Sequence, residues 1–199
     1  MREDENTRNP GRPREYDEDE TLTKIMSLFW ENGYEGTGLS DIIKSTGLQK
    51  GSLYKAFQSK HSMYLRALAH YEKLNVDTAV EYLQSDNPPL KRIKTFLTIP
   101  IDAAFSENDR RGCFLCNASA DHAANDPETQ KLVLRGYGKM QNALTLPISE
   151  LRPEWSKEQT LQTAQLILVI YSGLRIMARS ATDKNTLLGA RDTGLTLLA

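Results

Sequence analysis

Leu39-Ser-Asp-Ile-Ile-Lys-Ser-Thr-Gly47-Leu-Gln-Lys-Gly-Ser-Leu-Tyr54-Lys-Ala-Phe57-Gln-Ser-Lys60 is the stretch that decides the fold. Two short helical patterns meet in it at Gly47. Ile42, Ile43 and Thr46 share an inner face before the glycine, and Leu53, Ala56 and Phe57 share one after it. A tight turn between steeply crossing helices needs a residue that accepts positive φ, and glycine does so without a Cβ penalty. Leu48 is then placed to plug the gap between the helices. The pattern is that of a helix-turn-helix. In its second helix Leu53 and Phe57 lie on one face while Lys50, Tyr54 and Lys55 project elsewhere, an outward face of cations and a phenol that suits the major groove of DNA.

Charge placement points the same way. No Asp or Glu occurs between Asp41 and Glu72, while Lys44, Lys50, Lys55, Lys60 and Arg66 fall inside that window. Neutralising phosphates supplies most non-specific affinity for DNA; the alternative is a solvated lysine face on an ordinary helical hairpin. The whole chain of 199 residues carries a net charge of −1, so contact with a polyanion has to be local. Hydrophobic content of 39% and charged content of 26% are those of a globular protein with one large domain or two small ones. The N-terminus lacks the apolar segment of a secretory signal, and the longest apolar run, Leu166 to Tyr171, is too short to span a bilayer. These features predict a cytoplasmic protein with no membrane contact and with Cys113 and Cys116 as reduced thiols.

Gly33-Tyr-Glu-Gly-Thr37, Ile42, Gly47 and Gly51-Ser-Leu-Tyr54-Lys-Ala-Phe57-Gln-Ser-Lys60 resemble the N-terminal DNA-binding domain of the tetracycline-repressor (TetR) family of bacterial transcription regulators. The resemblance is dense from about Gly11 to Leu68 and thinner beyond. It implies an all-α protein: an N-terminal three-helix helix-turn-helix domain at 17–61, and a helical effector-binding and dimerisation domain at 62–199. It further implies a homodimer joined through the two C-terminal helices and a repressor released from a palindromic DNA operator by a small-molecule effector. Gln49, Lys50, Ser52 and Tyr54 would then meet base edges or phosphates, with Ser40 alongside them, and Thr37, Lys55 and Lys60 would clamp the backbone. Gln49 stands where members commonly have Ser or Thr, a better N-cap, and Ile43 where they have a small residue; the docking angle of the two helices depends on both.

Outward from that stretch, residues 1–16 mix charges, Asn, Pro and Gly without apolar periodicity and read as a disordered arm. Arg12 and Arg14 within it are candidates for the minor groove, where arginine is drawn by negative potential. Helix 1 is predicted from Asp17, with Asp17 and Glu20 as a capping box and Gly33 as its end. A longer helix follows from about Ser62 to Leu83, with Tyr64, Leu68, Tyr71 and Leu74 on one stripe. Asn87-Pro88-Pro89 ends it. Further helices are predicted at about 90–105, kinked or split at Pro100, then at 113–124, from Pro127 to 144 or 150, at 157–180 and at 184–198. Between Ala164 and Met177 the penultimate helix is apolar on nearly every side, so it has to be covered all round, one face by a second subunit.

The raw material for chemistry is thin. His61, His70 and His122 stand at no catalytic motif spacing, and no phosphate loop or metal motif is present, so no catalytic residue, cofactor or metal is expected. Cys113-x-x-Cys116 reads as two small buried apolar residues, as a redox pair sensing oxidants or electrophiles, or as half a metal site with His122 the nearest further ligand. An effector pocket is expected around Phe96, Pro100, Phe105, Phe114 and Cys116, completed by Asn117, Met140, Tyr171 and Arg175, although a plain helical core has the same lining. Arg175 in an apolar helix favours an anionic group on a ligand or an internal ion pair, and the ion pair is preferred.

Overall fold

The computed structural model describes residues 17–198, and all regular structure among them is helical. Helix α1 (Glu18–Gly36) starts at Asp17, whose carboxylate accepts the Glu20 N–H at 3.0 Å. Glu20 does not reach back to complete the expected box; it pairs with Lys24 at 2.7 Å, the neighbour one turn along. Gly33 breaks the helix with φ 74 and ψ 178, and one last turn follows. Helices α2 (Leu39–Thr46) and α3 (Lys50–Phe57) meet at Gly47, whose φ is 74. A Cβ added there would touch nothing within 4 Å, so backbone conformation alone demands the glycine. Ile42, Leu53 and Phe57 are fully buried against Ile25 and Phe29 of α1, which closes the small core of the head.

Helix α4 (Lys60–Tyr71) begins two residues before the expected start, because Ser59 caps it by accepting the Ser62 N–H at 3.0 Å. A π-helical turn (Glu72–Val76) joins it to α5 (Asp77–Leu83). That turn corrects the predicted stripe. Tyr64, Leu68 and Tyr71 are buried as expected, but Leu74 is 45% exposed, and Val76, Ala79 and Leu83 take over the inward face. A π turn carries one extra residue and so rotates everything beyond it relative to an α-helical register. Glu72, 3% exposed, anchors the turn: Arg135 donates to its carboxylate at 2.7 Å and Lys139 pairs with it at 2.6 Å, the partners a buried charge requires.

Helix α6 (Pro89–Phe105) passes through Pro100 as one element rather than two. Its buried Arg92 donates to the Leu83 carbonyl at 2.9 Å and pairs with Glu150, tying α5 to α6 and α8. Helix α7 (Phe114–Asp121) has Cys113 as its N-cap residue and is shorter than predicted; α8 (Pro127–Leu151) has Asp126 as its cap and holds Pro147 inside. The crossing of α7 and α8 is close, since a Cβ on Gly136 would lie 2.4 Å from Leu115 Cδ1. Helices α9 (Lys157–Arg179) and α10 (Lys184–Leu195), with a short 3-10 turn (Thr196–Leu198), complete the chain. In α9, Ile167, Leu168, Tyr171 and Leu174 are buried, while Leu161, Leu166, Val169, Ile176 and Met177 face outward. Although its longest apolar run is short, α9 as a whole is long and apolar enough to cross a bilayer by length and composition, with mean hydropathy 1.3 over its best window. Here it packs against α6 and α8 as part of the body.

Head and body meet through a seam of rings. Phe29 and Tyr34 of α1 lie 5.1 Å from Tyr64 of α4, Trp30 lies 4.9 Å from Tyr71, and both α4 tyrosines meet Phe114 of α7 at 5.7 and 5.8 Å, all five pairs edge-to-face. Burial raises the Tyr64 and Tyr71 hydroxyls above the ordinary tyrosine value, so both stay neutral.

Candidate nucleic-acid interface

Helix α3 presents one polar face outward. Gln49, Lys50, Ser52, Tyr54 and Lys55 are all exposed, as are Ser40 and Lys44 on α2. Gln49 occupies the N-cap position without a side-chain cap bond, so the amide does not close its own helix. Lys50 Nζ stands 6.0 Å from the Tyr54 ring centre, which holds the two as neighbours on the same face. Inside, Leu53 and Phe57 fix the helix to the head core. Gln58 ends α3 at φ 68, an uncommon conformation for a residue with a side chain, and its N–H closes on the Tyr54 carbonyl at 2.9 Å. The strained turn sets the angle between α3 and α4.

Two side chains of the basic window, and Thr37 just before it, turn out to be engaged within the protein. Arg66 pairs with Glu18, donates to the Ala56 carbonyl at 3.1 Å and lies 4.5 Å over the Phe57 ring, strapping α1, α3 and α4 together. Lys60 is half-buried with its ammonium 4.5 Å over the Tyr34 ring. Thr37, predicted to clamp phosphate, is 1% exposed and donates to the Gly33 carbonyl at 2.8 Å. It covers the carbonyl freed where Gly33 breaks α1, a need that the sequence does not display. Arg12 and Arg14 lie outside the described residues.

A cavity of about 530 Å³ opens between α1, α7 and the end of α9. Of the predicted effector residues, Phe114, Cys116 and Asn117 line it. The rest lie elsewhere: Phe96 stacks on Tyr171 at 4.3 Å, Pro100 and Met140 are buried in the body core, and Phe105 is half-buried near Arg110. Arg175 does not form the expected ion pair; its Nε donates to the Tyr171 hydroxyl at 3.0 Å. Burial pushes that hydroxyl up to about 12, with the guanidinium acting in the opposite direction. Trp30, Tyr64 and Arg179, which sequence reasoning missed, complete the cavity wall. Nothing in the periodicity of α1 says that a helix of the N-terminal head also walls a cavity with α7 and α9.

Residues 22–67 match the family described as bacterial regulatory proteins, tetR family. The chain is 25% identical over 133 residues to the uncharacterised HTH-type regulator YezE of Bacillus subtilis, spanning 67% of this chain and 69% of that protein. It is 23% identical to the HTH-type transcriptional repressor BdcR of Escherichia coli over 87% of this chain and 84% of that protein. Its fold matches that of the regulator CifR, solved as a cysteine mutant with 26-base-pair operator DNA, at a TM-score of 0.80 and 22% identity over 93% of this chain and 98% of that one.

Thr37→Val keeps the shape and removes the hydroxyl, so it is expected to cost about 1–2 kcal/mol of stability in thermal or denaturant unfolding. The folded protein should bind DNA unchanged. A weaker DNA affinity at unaltered stability would return Thr37 to the phosphate contacts.

Proposed function

We propose, on the premise that this chain is a TetR-family transcription regulator, that it is a cytoplasmic homodimeric repressor whose two heads read a palindromic operator and are released by a small-molecule effector. The observation that carries the reading is the α3 face: Gln49, Lys50, Ser52, Tyr54 and Lys55 side by side, exposed, with no acid among them. An amide pairs bidentately with adenine and an ammonium favours guanine, so Gln49 and Lys50 are the base readers, with Ser52, Tyr54, Lys55 and Ser40 at the backbone. The arm at 1–16, with Arg12 and Arg14, adds groove contact; 17–61 is the reading domain and 62–199 the effector and dimer domain. Lys60 and Thr37 support the head from within.

The effector cavity in this reading is the one beneath the head. Its wall takes Trp30 from α1 and Tyr64 from α4 together with Phe114, Cys116 and Asn117 from α7, so a molecule bound there presses on both sides of the junction. Apolar rings with a few polar groups are the usual lining of a ligand site. A ligand that fits one head position better than another shifts the head, and two heads on a two-fold axis then lose their common spacing.

The dimer rests on α9 and α10. Leu166, Val169 and Ile176 of α9 stand 45%, 66% and 56% exposed, a contiguous apolar stripe of the kind that marks a protein interface. Gly173 lies in the same stripe with open space above it, which permits close helix approach.

A second reading is favoured by the cysteines. Cys113 is drawn down to about 6 by the hydrogen bond from Cys116, against the effect of burial and with help from Arg175 and Tyr71; Tyr71 donates to its sulfur at 3.5 Å. A thiolate beside a second thiol is the arrangement a peroxide converts first to a sulfenic acid, releasing water, and then to a disulfide, releasing a second water. In this reading the same scaffold senses oxidants. Cys113 should be alkylated by iodoacetamide at lower pH than an ordinary thiol, and operator release by peroxide should vanish in Cys113→Ser; release that persists in that variant removes the thiol from the response.

For DNA, Lys50→Ala should lose about 1–3 kcal/mol of binding to the operator and relax preference at one base pair, whereas Lys55→Ala should weaken all sequences alike and lower the salt slope by about one. Fluorescence anisotropy on DNA flanking the protein's own gene, against scrambled DNA, reads both. Equal losses on both DNAs for Lys50→Ala would take it out of base readout. Val169→Asp should turn the dimer into a monomer in sedimentation velocity, with helicity retained; a dimer that survives it is built on another face.

A further inference from the structure

His61, His122 and Asp126 are used by neither the DNA face nor the dimer stripe, yet three distant segments bring them together. His61 sits in the first turn of α4, directly after the reading helix; His122 follows α7 and Asp126 caps α8. One donor atom from each lies within 4.8 Å of the others. His61 Nε2 is 2.9 Å from Asp126 Oδ2, and His122 Nε2 is 3.7 Å from the same oxygen.

From these positions we propose that His61, His122 and Asp126 bind a zinc-like divalent transition metal that bridges the reading head to the body. Tetrahedral zinc with bonds of about 2.0–2.1 Å sets neighbouring donors about 3.3–3.4 Å apart, and the two separations here fall on either side of that edge. Two imidazoles and one carboxylate are the donor types that zinc takes, with water in the fourth place. Magnesium and calcium are disfavoured, since both want oxygen ligands.

The surroundings are those of metal ligands. With Nε2 turned to the metal, His61 keeps its proton on Nδ1, and that nitrogen faces Glu128 Oε2 at 3.7 Å; a carboxylate behind a ligating histidine fixes tautomer and ring orientation. Asp126 is oriented by the Thr129 N–H at 3.1 Å and hydroxyl at 2.5 Å. The His122 ring is held flat against Tyr34 at 4.2 Å, and Tyr34 belongs to the head. All three ligand side chains keep some exposure, 33%, 20% and 15%, so a metal has an entry path. Resting on the regulator reading above, occupancy fixes the head against the body and so couples metal level to operator affinity.

The test uses the full chain after chelation, titrated with Co(II) alone and then with Zn(II) in competition. One equivalent of Co(II) should give the visible absorption of a four-coordinate N/O site, and Zn(II) should abolish it. His122→Asn and Asp126→Asn, the latter keeping a capping oxygen for α8, should each weaken the metal by about a hundredfold or more, beyond the loss that outer partners cause. Cys113→Ser with Cys116→Ser should leave it intact. Zn(II) should raise the Tm of the wild type but not of His122→Asn, and should slow amide exchange together at the start of α4 and at 122–126. No Co(II) spectrum, binding that survives both ligand variants, or protection of one segment alone would overturn the bridge. Operator affinity should change with Zn(II) in the wild type and not in His122→Asn; unchanged affinity with metal bound refutes the coupling, whereas a wild type that shows the Co(II) band but reads no DNA counts against the regulator reading instead.

Discussion

The seam of aromatic rings between head and body is the constraint on which the rest depends. The head is too small to bury its own inner face: α2 and α3 are eight residues each, little more than two turns, and helices that short are marginal without tertiary packing. What stabilises them is α1, and α1 is held in turn by Phe29, Trp30 and Tyr34 against Tyr64 and Tyr71. Because α4 continues into α5 through the π turn, and because Phe114 closes the far side of both tyrosines, the ring cluster makes the position of the reading helix a property of the body. Edge-to-face pairs add about 0.5–1.5 kcal/mol each beyond area burial, and they are directional, so the head is both bound and aimed.

Charge is divided by the same logic. The cations nearest the seam, Arg66 and Lys60, are folded back over Phe57 and Tyr34, where they serve packing. Those farther out, Lys44, Lys50 and Lys55, stand in solvent. A basic strip that looks uniform along the sequence is therefore two populations, and only burial separates them. On the opposite side of the seam the carboxylates of Asp121 and Asp126 gather against Tyr34 and His61. The head thus carries positive charge outward and rests on a negative collar.

The helix-turn-helix was legible because its signals are local: Gly47 at positive φ, and Leu53 and Phe57 one turn apart. The helix boundaries set by Asp17, Pro89 and Pro127 are local too, the first through capping and the others through the fixed backbone of proline. Leu74 was misplaced because a π turn leaves no mark in hydrophobic spacing and is held by a charge, Glu72, whose partner Arg135 lies 63 residues away. The cavity was half legible. Phe114, Cys116 and Asn117 come from one segment that sequence could single out, but Trp30 comes from α1 and Tyr64 from α4, and no periodicity reveals that these helices share a wall with α7. His61 and His122 each looked like an isolated histidine for the same reason, since only the fold places them beside Asp126.

The π turn has a further consequence, best put in terms of chain length. Deleting one residue from Glu72–Val76 would let the segment from Lys60 to Leu83 close into a regular α-helix. It would leave Ala79 and Leu83 facing the core, because the extra residue of the turn is what sets them off from an α-helical register, whereas a residue added to the regular helix on either side would turn everything beyond it by about 100°. Leu74, exposed in the turn, is the residue whose loss disturbs the packing least. Elsewhere along this helix the protein counts: the spacing between α3 and the body core is fixed to the residue.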